Sequence, residues 1–218
     1  MTREKALENA KPILFNTDMV RAIIDGRKTV TRRIVKPQPD EKHKYILGTV
    51  KTETPSCGNV GKIIFGIDKE GNAGDWHYAR PPYRPGEILY VRETWKPNRD
   101  GYSGIDFGGY VYKADCKCVF NDNYNPWKPS IHMPKEAARI FLKVKSVRVE
   151  RLQEIDVDGI RNEGLTSMSV HAGEKEIALK EWEILWDSTI KKADLDTYGW
   201  KANPWVWVIE FEKLEVGE

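Results

Sequence analysis

The stretch Asp25-Gly26-Arg27-Lys28-Thr29-Val30-Thr31-Arg32-Arg33 gathers four cationic side chains and two threonine hydroxyls into nine residues. A lysine accepts a proton only when burial or neighbouring cations hold its amine partly uncharged, and Arg27, Arg32 and Arg33 supply such a field around Lys28. A hydroxyl beside that amine becomes a nucleophile, which makes Thr31, three residues on, the candidate partner. In a continuous strand, residues three apart point to opposite faces, so the pair meets only if a helix-like turn lies between them. The same turn suits a solvated or phosphate-binding surface, and the residues alone leave these readings open.

The elements that must position this turn are legible on both sides of it. Met19, Ala22 and Ile23 fall at the spacing of a helix with one buried face, with Asn16 or Thr17 as its cap and Gly26 as its stop. Lys11 to Phe15 predicts a short strand before that helix, and Thr31 to Val35 a strand after it, closed by Pro37. Residues 1–10 predict a flexible polar arm, frayed or loosely helical, and 11–218 a single domain with two insertions, near 37–80 and 96–134. The first insertion holds a hairpin near Tyr45 to Lys51 and a strand at Lys62 to Ile67. Ile88 to Trp95 is nearly continuous in apolar residues, as in a strand buried on both faces. The second insertion is aromatic-rich, and Gly104, Gly108 and Gly109 keep it from being a helix. Its sharply bent end, Trp127 to Pro134, could line a pocket. Beyond it the pattern predicts a strand at Ile140 to Val149 and a helix from Leu152 to Gly164. A further helix spans Glu174 to Ile190, with Ile177, Trp182, Leu185, Trp186 and Ile190 on one core-facing stripe, and the last strand is Trp205 to Phe211.

Composition narrows the classes. Thirty-five basic against 33 acidic residues leave a net charge of +2, so no global field points to a nucleic-acid partner. Cys57, Cys116 and Cys118 cannot build a disulfide framework. Their spacing, even with His77 or His132, is wrong for the common zinc knuckles, so neither metal nor cofactor is expected. The apolar runs are too short to span a bilayer, so no membrane partner is expected. The start Met1-Thr2-Arg3-Glu4-Lys5 lacks the apolar core of a secretion signal, and the expected location is cytoplasmic.

Gly26 to Arg33 resembles the signature of the ASCH domain, and other stretches extend the likeness over most of the chain. Pro85-Gly86-Glu87 with its strand resembles the family's Pro-Gly-Asp strand, Arg161-Asn162-Glu163-Gly164 its acidic helix end, and Trp207 to Phe211 its closing strand. The insertions resemble those of longer, prophage-type members. The resemblance implies an α+β fold built on a PUA-like, mostly antiparallel β-barrel with flanking helices. It also implies an amidohydrolase of the kind that deacylates N4-acetylcytidine, with Lys28 as base, Thr31 as nucleophile and Glu163 as the acid that protonates the departing amine. Arg32 stands where the small amidohydrolases tend to have an apolar residue. Other branches of the family resemble RNA-binding PUA modules or ribonucleases, for which the basic turn would hold phosphates. The expected ligand is a modified nucleoside or a single-stranded RNA segment. Its expected site is a cleft between the turn and the Trp127 bend, with contacts from Arg27, Arg32, Arg33, Arg92, Trp127 and His132.

Overall fold

A computed structural model of the chain describes residues 2–51, 60–71, 74–100, 102–116 and 125–217. In chain order the elements are α1 (Arg3–Asn9), β1 (Lys11–Leu14), α2 (Thr17–Ile24), β2 (Val30–Ile34), β3 (Tyr45–Thr49), β4 (Ile63–Gly66), β5 (Trp76–Ala79), β6 (Ile88–Arg92), β7 (Trp95–Arg99), β8 (Asp106–Tyr112), β9 (Phe141–Arg151), α3 (Val157–Asn162), α4 (Met168–Ala172), α5 (Lys175–Ser188), α6 (Leu195–Tyr198) and β10 (Trp205–Leu214). The fold is mixed α+β. The main sheet has the order β1-β6-β9-β10-β2; β3-β4-β5 form a second sheet and β7-β8 a hairpin. Only the β1–β6 pairing is parallel among these described ladders.

The sheet order puts β1 and β2 at opposite edges, and no described ladder joins them. The expected barrel therefore does not close by strand pairing among the described residues. In a flat sheet four strand spacings would hold these edges about 19 Å apart, farther than an arginine side chain reaches. Yet Arg33 on β2 donates its Nη2 to the Leu14 carbonyl on β1 at 2.7 Å. The sheet must curl until its edges face each other across one side chain.

Period-2 alternation assigns the two faces of this sheet. Trp205, Trp207, Ile209 and Phe211 of β10 pack with Phe15, Val20, Ile23, Leu89 and Leu142 in one cluster, which the apolar face of α2 helps to fill. Val206 and Val208 pack on the other face with Ile160, Val170, Ala178, Trp182 and Trp186, which seats α3, α4 and α5 there. Thr31 and Arg33 pair with Ile209 and Trp207, and Arg32 with Val208. Successive residues of the basic strand thus look to different sides of an edge.

Several elements differ from the sequence reading. The N-terminal segment is not a flexible arm: Thr2 caps α1, Ala6 is fully buried, and Arg3 donates to the Ala138 carbonyl at 3.0 Å. The helix expected over 152–164 is split, because Asp156 accepts a hydrogen bond from the Gly159 backbone at 2.7 Å and starts a new helix. On α5 the buried stripe is Ala178, Trp182 and Trp186, while Ile177 is exposed. The second insertion also contributes a strand that the sequence reading did not specify, β8, in which Gly108 and Gly109 sit at positive φ. Cys57, Cys118, Phe120 and Tyr124 lie outside the described residues. Among those described, no helix is long and apolar enough to cross a membrane.

Candidate functional site

The basic turn is shaped by the end of α2. Asn16 starts this helix by accepting from the Met19 amide at 2.9 Å, and Gly26 ends it at φ +74°. The amides of Arg27 and Lys28 then both donate to the Ala22 carbonyl, at 2.8 and 3.0 Å, which folds the chain back against the helix. The Thr29 amide donates to the Asn162 carbonyl at 2.9 Å and ties the turn to the end of α3. Gly164, at φ +97°, permits the close approach. A Cβ there would lie 2.8 Å from the Ala22 Cβ and 3.1 Å from the Lys28 Cβ. Glu163 is thereby set against Lys28 although 135 residues separate them in sequence.

The charges are closely paired. Lys28 Nζ donates to Glu163 Oε2 at 2.5 Å and to the Glu163 carbonyl at 2.9 Å. Arg32 Nη1 donates to Glu163 Oε1 at 3.2 Å, and its Nε and Nη2 hold Glu150 Oε1 at 2.9 and 2.6 Å. The side chains of Lys28, Glu163 and Arg32 are each no more than 2% exposed. Burial pulls the Lys28 ammonium below the ordinary lysine value, with Arg33 and Arg32 adding to the effect and the Glu163 carboxylate opposing it.

Beside this cluster lies a cavity of about 180 Å³ whose lining includes Thr31, Arg33, Glu163, Phe15, Trp182 and Trp186. It sits at the β2 edge of the curled sheet, which explains why residues from both sheet faces reach it. The two indoles have ring centroids 6.1 Å apart. Trp186 Nε1 donates to the Tyr198 carbonyl at 2.8 Å, whereas the buried Trp182 Nε1 has no acceptor among the described residues. Thr31 is 2% exposed, and among the described residues its hydroxyl makes no hydrogen bond, to Lys28 or to any other group. The cavity thus brings together a threonine hydroxyl, a carboxylate and, behind that carboxylate, a buried amine.

Of the nine residues expected at the site, Thr31, Glu163, Arg32 and Arg33 line this cavity and Lys28 backs it. Arg27 does not line it: the side chain pairs with Asp25 at 2.8 Å and donates to the Gly164 carbonyl at 2.9 Å, a structural brace. Arg92 donates to the Ile131 carbonyl instead and docks the bend onto β6. Trp127 carries Lys96 over its ring at 5.0 Å, and His132 is exposed; neither lines the cavity. The expected cleft between the turn and the bend is thus replaced by one between the turn, the end of β1 and α5. Phe15 reads from sequence as the end of a strand, and Trp182 and Trp186 read as core, because i, i+4 aromatic spacing on a helix is the same for a core stripe and a pocket wall. Glu150 carried no local signal, since its approach to Arg32 depends on both strands flanking β10.

Among the described residues no group of three or more His, Cys, Asp or Glu side chains is arranged to hold a metal ion. Comparison with known protein families, with characterised proteins and with solved structures finds no match to this chain.

Proposed function

We propose that this cavity is a hydrolytic site of the ASCH amidohydrolase kind, which cleaves the amide of an acylated cytidine or a related modified nucleoside. On this reading the curled sheet corresponds to a PUA-like barrel whose seam, between β1 and β2, is occupied by the site. One observation carries it. A threonine hydroxyl with no hydrogen-bond partner among the described residues shares an aromatic-walled cavity with a carboxylate that lies 2.5 Å from a fully buried lysine.

The chemistry follows from a proton shared within the Lys28–Glu163 pair. In a desolvated site the neutral amine and carboxylic acid compete well with the ion pair, and Arg32 stays balanced by Glu150 when Glu163 holds the proton. Lys28 then accepts the Thr31 proton as Oγ attacks the acyl carbonyl carbon, and Glu163 gives its own proton to the departing amine. The acyl group is left as a threonine ester. Water attacks that ester, giving a proton to the Glu163 carboxylate, while Lys28 returns its proton to Thr31 Oγ. The first step needs Lys28 Nζ and Thr31 Oγ to come within hydrogen-bond reach in the substrate complex, since unliganded sites hold such contacts loosely.

The size of the cavity favours a single ring over a strand. Pockets for drug-sized ligands run from about 300 to 1,000 Å³. About 180 Å³ between aromatic walls suits one planar base with its acyl group. The test is turnover of N4-acetylcytidine by the wild type, Lys28→Ala, Thr31→Ala and Glu163→Gln, with RNA cleavage followed in parallel. Each variant is expected to lose about 10²–10⁴-fold in rate. RNA cleavage that depends on Lys28 without any deacylation would replace this reading with a ribonuclease.

A further inference from the structure

We infer that the ligand of this cavity carries a phosphate, so that it is a nucleoside monophosphate and not a free nucleoside, and that Arg33 is the residue that binds the phosphate. The inference rests on the reading of the cavity as a nucleoside site and deepens it. Three of the four cations between Arg27 and Arg33 are already matched: Arg27 by Asp25, Lys28 by Glu163, and Arg32 by Glu150 and Glu163. Arg33 has no carboxylate within ion-pair distance among the described residues, although it lines the same cavity.

Arg33 is also held in place for the task. Its guanidinium lies over the Phe15 ring, 5.2 Å from the centroid, and its Nη2 is fixed by the Leu14 carbonyl at 2.7 Å. One of five N–H donors is thereby used, and the planar fork that remains matches the geometry of a phosphate. The start of α2 adds to the field, because Asn16 and Met19 line the cavity and a helix N-terminus is its positive end. Asp18 in that first turn does not neutralise Arg33; its carboxylate is 90% exposed and pairs with Arg21. Burial pulls the Arg33 guanidinium below its ordinary value; Glu163 opposes this from across the cavity without an ion-pair contact among the described residues, so an anionic ligand would add the direct partner. The base would sit between Thr31 and the indoles, with its phosphate at the half-buried mouth where Arg33 stands.

Calorimetric titration of the full chain with cytidine, cytidine 5′-monophosphate and a cytidine trinucleotide, at 50 and 200 mM salt, tests the inference. The wild type should bind the monophosphate at least about tenfold more tightly than cytidine, the worth of one charge-assisted hydrogen-bond pair. That ratio should fall to near one in Arg33→Gln and persist in large part in Arg33→Lys, with thermal melting of both variants to establish that they fold. Equal wild-type affinity for cytidine and its monophosphate overturns the inference and leaves the nucleoside site standing, as does a full phosphate preference in folded Arg33→Gln. Binding of neither ligand overturns both. A trinucleotide bound far more tightly than the monophosphate, with a salt slope of two or more phosphates, would make the ligand an RNA strand and overturn the single-phosphate site.

Discussion

The proposed mechanism needs the proton that Lys28 carries at rest, so the rate should fall as pH rises and Lys28 loses it. Because burial lowers Lys28, this falling limb should lie below lysine's ordinary 10.5. A pH–rate profile of kcat/KM measures this, and a basic limb at the free-lysine value would contradict it. Stability follows a separate sign. Between the lowered folded pKa and 10.5 the unfolded chain binds the extra proton, so the Lys28 contribution makes unfolding costlier as pH rises through that window. Urea melts across this range should show the slope in the wild type and a flatter profile in Lys28→Met. Glu163 is the counter-ion of buried Lys28, and Glu163→Ala should cost about 3–5 kcal/mol by leaving Lys28 uncompensated, while Arg32 keeps Glu150.

At the scale of elements, the approach of α3 to α2 is the critical junction, and one residue permits it. Gly164→Ala adds a Cβ 2.8 Å from Ala22 at a φ that side chains disfavour, so it should cost about 1–3 kcal/mol. Because the same shift moves Glu163 from Lys28, kcat should fall with stability; unchanged turnover in a destabilised variant would separate the two. A second junction holds the hairpin: buried Glu93 is gripped by Arg139 at 2.9 and 3.1 Å, and Arg139 also binds Asp115 at 2.6 Å. Burial pushes the Glu93 carboxyl up even so. Arg139→Ala should destabilise by about 3–5 kcal/mol in urea melts, with partial recovery on adding Glu93→Gln.

Most of these elements could be read from the chain, because α2, β6, β9, α5 and β10 each carry a period, a cap or a turn. Lys28 and Thr31 were legible as types at positions, and Glu163 joined them only through the family resemblance. The contact of Glu163 with Lys28 had no local signal, since it depends on Gly164 letting two helix ends meet. The aromatic wall was hidden for another reason, which is that only the position of α5 against the sheet edge turns part of a core stripe into a lining.

The whole molecule concentrates little charge for a strand of nucleic acid. Its net charge is +2, and most cations of the basic turn are spent on internal carboxylates. Cytidine binding should therefore change little between 50 and 200 mM salt, whereas a multi-phosphate contact would weaken steeply. The curled sheet serves the site by bringing β1 and β2 together around one small cavity, with Arg33 spanning the gap between them. The claim that this cavity works as a single hydrolytic unit is tested most directly by kcat/KM on N4-acetylcytidine for the wild type, Lys28→Ala, Thr31→Ala and the double variant. Groups acting as a unit are not additive, so the double variant should lose little more than either single change. Undiminished hydrolysis in Thr31→Ala, or losses that multiply in the double variant, would contradict it.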